Sequence, residues 1–127
     1  MRTVYINLDS LNDTYFLGYT GEHQMTRVDL VVPAELAEAT GYSLEFDVCG
    51  TQRIVSGLTA TEGVVSYLIP YDITSIISRR ASVALQLTGY IDDAVIGKSA
   101  VVNGYFEQGL TPVEVDDTLI PIVTEVH

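Results

Sequence analysis

The stretch YSLEFDV, residues 42–48, sets an apolar side chain at every second position: Tyr42, Leu44, Phe46 and Val48, with Ser43, Glu45 and Asp47 between them. A period of two is the repeat of a β-strand with one buried and one wet face. TVYINLD repeats it with Val4, Ile6 and Leu8. TRVDLVV sets Val28, Leu30 and Val32 against Arg27, Asp29 and Val31, and SVALQLTGY turns Val83, Leu85 and Leu87 inward with Ala84, Gln86 and Thr88 outward. VVSYLIP, AVIGKSAVV and GYFEQ read as further strands. One dry face per strand is the pattern of antiparallel sheets, not of a parallel α/β core.

The connections agree. LDSLND, CGTQ, TATEG and IDDA carry the Asp, Asn, Gly and Thr of tight turns. Strands recurring at this spacing predict a sandwich or barrel. Two short helical turns are expected: PAELAEATG, opened by Pro33 and closed by Gly41, and DITSIISRR, with Asp72 or Thr74 as N-cap and a 3₁₀ turn as the alternative to α. The organisation expected is a β-sandwich domain over residues 1–110 and an apolar strand or arm over 111–127.

Composition narrows the role. At 127 residues the chain is one domain with room for a core, and 47% hydrophobic with 18% charged residues marks a folding sequence. No run has the ~18–20 apolar residues of a membrane span, and MRTVYINLD lacks the apolar block of a signal peptide. Synthesis and assembly in the host cytoplasm are therefore expected. With 17 acidic and 6 basic residues, a net charge of −11, neither nucleic acid nor an anionic membrane is expected as a partner; a protein with a basic face is.

Chemistry is sparse. The single Cys49 rules out an internal disulfide and a paired-cysteine metal site, and reads as a small strand residue. His23 lies in the turn-like TGEHQ and His127 is the last residue, neither beside a nucleophile in sequence. Asp92–Asp93, Asp116–Asp117 and the DSLND stretch lack the alternating oxygen ligands of a calcium loop. No phosphate loop, nucleophile elbow or zinc helix is present, so no cofactor, metal site or catalytic residue is expected.

Interface residues are the better candidates. Arg79 and Arg80 adjoin between an apolar turn and a core strand, and arginine is enriched in interfaces. Lys98 reads as protection of an edge strand. Tyr15, Tyr19, Tyr42, Tyr67, Tyr71, Tyr90 and Tyr105 recur near strand ends, where a ring buries and its hydroxyl stays wet; Tyr71 and Tyr90 are taken as interface candidates. After Gly109 the apolar Val113, Val115, Leu119, Ile120 and Ile122 are too many for a solvated end, while Pro112 and Pro121 bar a central strand. That segment either closes the sheet as an edge strand or extends as an arm to another subunit.

The order LGYTGEHQMTRVDLVVPAEL, YSLEFDV, GVVSYLIPYDIT and ASVALQLTGYIDDAVIGKSAVV resembles the N-terminal domain of phage upper baseplate proteins, a module also found at the start of fibre and head-fibre proteins. The resemblance covers about residues 4 to 110 and rests on the order and spacing of short motifs. It implies an immunoglobulin-like antiparallel β-sandwich without catalysis, docking onto other phage structural proteins in the virion, as a homo-oligomer with a trimer favoured. Members generally continue into a stalk or receptor-binding region; this sequence stops at His127, which leaves attachment or assembly in a baseplate, fibre, head fibre or capsid decoration as the expectation. The alternative is a carbohydrate-binding sandwich stacking sugars on tyrosine, against which the absence of tryptophan counts.

Overall fold

The computed structural model describes residues 1–9 and 13–110. They form nine strands: β1 (Arg2–Asn7), β2 (Thr14–Tyr19), β3 (Thr26–Val31), β4 (Gly41–Val48), β5 (Thr51–Leu58), β6 (Val64–Leu68), β7 (Ala81–Ile91), β8 (Ala94–Lys98) and β9 (Val102–Glu107). A 3₁₀ turn spans Ala34–Leu36, and a single α turn, α1, spans Tyr71–Thr74. The smaller sheet runs β1-β3-β6; the larger runs β2-β9-β7-β4-β5, with β8 also paired to β7. Between them lies the core, where Phe46, Leu44 and Leu85 of the larger sheet and Ile6, Leu30 and Val65 of the smaller are each at most 1% exposed. Burying a side chain of this size contributes roughly 1.5–3 kcal/mol.

The all-β sandwich expected from the alternation is what forms, and both sheets are mixed. β1 pairs with β3, and β2 with β9, in parallel, while the remaining named pairs are antiparallel. A period of two places residues on faces but says nothing of partners, so these parallel pairs lie beyond its reach.

Two strands escape the alternation. β2, TYFLGY, has consecutive apolar residues, and Leu17 alone of Tyr15, Phe16 and Leu17 is fully buried. β5, TQRIVSGL, is an end strand that leaves Ile54 65% exposed. Its register with β4 shifts between Tyr42 and Leu44, where Gly57 takes φ +75°, a bulge conformation that a Cβ would strain. AVIGKSAVV is not one strand either: β8 ends at Lys98 and β9 begins at Val102.

Turn chemistry follows the sequence closely. Ile91 pairs with Ala94 across Asp92–Asp93, at φ +48° and +68°, and Val48 pairs with Thr51 across Cys49–Gly50, at φ +50° and +95°. Both are two-residue hairpin turns of the kind that matches strand twist. Cys49 is therefore an exposed turn residue and not a strand residue. The cap of α1 also differs from expectation. Pro70 occupies the N-cap position, where its ring offers no side-chain bond; Asp72 pairs instead with Arg53 of β5, and the Thr74 hydroxyl donates to Glu22 O at 2.5 Å.

Along one side the two sheets are tied. Arg2 of β1 donates to Glu22 at 2.6 Å and to Thr26 at 2.7 Å, and its guanidinium lies 5.4 Å from the Phe16 ring and 5.6 Å from the Tyr19 ring of β2. The Asn7 N–H donates to Tyr15 Oη at 3.1 Å. On the opposite side the sheets end in β5 and β6, and the 3.3 Å pair between Arg53 and Asp72 ties β5 to α1.

Candidate functional site

Four of the expected interface residues fall within the described chain. Tyr71 opens α1, 56% exposed, and Arg79 and Arg80 precede β7 at the same end of the sandwich, both exposed. Arg80 is engaged: it forms an ion pair with Glu107, and its guanidinium lies 4.4 Å from the Tyr105 ring. Tyr90 stands at the far end of β7, where its hydroxyl lies 3.2 Å from Ser43 Oγ. The length of β7 thus separates Tyr90 from the other three, about 30 Å at ~3.3 Å per residue. They do not form one patch. Val113, Val115, Leu119, Ile120 and Ile122 lie outside the described residues.

Tyrosine environments differ from one another. Tyr42 is buried, with its hydroxyl donating to Leu36 O at 2.8 Å rather than meeting water, and burial pushes its pKa above the ordinary phenol value. Tyr67 packs 6.0 Å from Phe46; burial, and after it the nearby Asp72 charge, raises its pKa. The Tyr19 ring is met edge-on by Phe16 at 5.4 Å. Tyr5 is 70% exposed on the smaller sheet.

The outer face of the larger sheet holds a polar network that alternation located without resolving. Lys98 Nζ of β8 lies 2.8 Å from Glu45 Oε1 of β4 and 2.7 Å from Thr88 Oγ1 of β7, and the Thr88 hydroxyl donates to the same Glu45 oxygen. Ser43 Oγ donates to the other oxygen, Glu45 Oε2, at 3.3 Å. Thr88 faces outward as expected yet is fully buried, because the lysine lies over it. A carboxylate with three donors from three strands is a fixed clamp, its acceptor capacity directed into the sheet. Beside it lies a concavity of 480 Å³ lined by Glu45, Asp47, Gln52, Ile54, Gln86 and Val101.

The smaller sheet repeats the device. Asp29 of β3 is outward-facing but 5% exposed, accepting from Ser66 Oγ of β6 at 2.7 Å and from Arg27 Nη2 at 3.2 Å. At the sandwich end, burial disfavours the Glu22 charge, but the Arg2 hydrogen bond, the Tyr19 N–H and the Arg2 charge together outweigh it and hold its pKa below the ordinary carboxylate value. His23 Nδ1 accepts from Tyr71 N–H at 3.0 Å, which makes it a tie to α1. Five of the six basic residues are thus in ion pairs: Arg2, Arg27, Arg53, Arg80 and Lys98. The arrangement rigidifies the two faces; among the described residues no three of His, Cys, Asp and Glu cluster as metal ligands would.

No protein-family model matches this chain, and no curated protein matches it. Among solved structures, the fold is similar to that of the N-terminal domain of phage TP901-1 ORF48, with a TM-score of 0.51 and 9% sequence identity, over 84% of this chain and 98% of that one. At that identity the likeness is one of fold, and it agrees with the resemblance read from the turn motifs.

Proposed function

We infer that this chain is a non-catalytic structural protein of a phage virion, a β-sandwich that joins other virion subunits at a baseplate, fibre or head-fibre position. The observation that carries the reading is the fold likeness, which takes in 98% of a domain from a phage protein. The surface supports it. Glu45 and Asp29, the carboxylates set into the sheet faces, are held by neighbouring strands, as suits a rigid spacer, and the acid excess that gives −11 suits docking against basic subunits.

Reconstitution tests this. Particles made without the protein should bind it saturably when it is added back, and should regain any fibre or plate that the deletion removed. Particles of normal form and infectivity that do not take up the added protein would overturn the reading.

A further inference from the structure

We propose that the free edge of β5 is a docking strip for residues 113–123 of a second copy of this chain, which add to the larger sheet as an outermost strand. β5 ends that sheet, paired with β4 on one side and with no described strand on the other. Such an edge presents unpaired N–H and C=O groups ready to template a strand. At eight residues β5 is long, and Thr51–Val55 run in regular register before the bulge at Gly57. Ile54, at 65% exposure, sits in the middle of that run.

The other sheet ends are blunted. β1 and β2 are tied to each other through Arg2 and Tyr15. β6 and β8 have five residues each, and β8 carries a register shift and Lys98.

The occupant is chosen by pattern and position. Val113 and Val115 flank Glu114, so a strand placing the valines beside Ile54 sets the glutamate on the side of Arg53, which is 41% exposed. Pro112 and Pro121 are barred from a central strand but not from an outermost one, whose second side is unpaired. Leu110, the last described residue, is 98% exposed and lies at the end of the sandwich where β5 begins. A segment of this length after Leu110, if fully extended at ~3.3 Å per residue, would span about 50 Å, enough to cross to a neighbour. An arm from one copy on the edge of the next is a heterologous contact, which closes into a ring when the rotation permits.

Light scattering of the full-length chain under reducing conditions should give a whole multiple of the chain mass. Ile54→Lys, at an exposed edge position, and the pair Val113→Asp with Val115→Asp should each fall to the mass of one chain with unchanged circular dichroism. Mixing the two variants should restore a dimer, because one supplies an intact arm and the other an intact edge. A monomeric parent chain, an Ile54→Lys protein that keeps its mass, or variants that fail to complement would each overturn the proposal. A monomer would leave the virion reading standing, since that reading requires only a different partner.

Discussion

Ser99 stands in for a strand partner of Leu87. Its N–H donates to Leu87 O at 2.8 Å and its Oγ accepts the Leu87 N–H at 3.0 Å. This occurs where β7 exchanges one neighbour for another: Thr88–Ile91 pair with β8, and Ala81–Leu85 with β9. Gln86 Nε2 fastens the crossing by donating to Ser99 O at 2.8 Å. The longest strand therefore stays satisfied across a gap in its ladder.

Ser99→Ala removes the acceptor of a buried N–H. An unsatisfied buried donor costs about 1–3 kcal/mol, so urea denaturation should show a loss of that size. A variant as stable as the parent would mean that water or a shifted backbone replaces the hydroxyl.

Thr88→Val should cost more than Lys98→Met. The valine keeps the shape of a fully buried residue but withdraws a donor from Glu45, a loss of about 1–2 kcal/mol. The lysine head is half-exposed, and such pairs contribute under about 1 kcal/mol. Denaturation midpoints of the two variants test the order, and the reverse order would show that the ion pair governs the clamp.

Gly104→Ala should be poorly tolerated. A Cβ at this position would lie 2.7 Å from Leu17 Cδ1 and 2.9 Å from Tyr15 O, and the second is backbone of the paired strand β2. Overpacking of this kind costs about 1–3 kcal/mol, and the β2–β9 amides should exchange faster with deuterium.

Glu22 gives a pH signature. Its folded pKa lies below the ordinary 4.5, so the unfolded chain takes up the proton first as pH falls. The stability it contributes is complete above the unfolded pKa and is lost as pH drops through the folded value. Glu22→Gln should therefore be less stable than the parent at neutral pH, and the difference should shrink as pH falls below about 4.5. A constant difference across that window would place the effect in packing and not in charge.

Alternation made β1, β3, β4, β6, β7 and β9 legible because their inward positions recur at every second residue, as in Leu44, Phe46 and Val48; β8, which has no buried residue, was read as one run with the start of β9. Alternation failed at β2, where Tyr15 and Phe16 are both half-buried and Arg2 lies over the Phe16 ring, and at β5, which as a sheet end has no fully buried residue to mark it. Thr88 and Asp29 were placed on the correct face but not seen as buried, because what covers them, Lys98 and Arg27, comes from strand pairing and side-chain reach. The separation of Tyr90 from Tyr71, Arg79 and Arg80 is likewise a matter of topology: the four are near in sequence, and one extended strand carries them apart. Residues 111–127, which lie outside the described residues, stand out in the sequence by their apolar excess, and that excess supplied the occupant proposed for the β5 edge.

Membership of a virion is tested most directly by quantitative mass spectrometry of gradient-purified phage particles from a lysate that contains this protein. The account predicts the protein at a fixed ratio to the known structural subunits across the particle peak. Its confinement to the soluble lysate, with none in the peak, would contradict it.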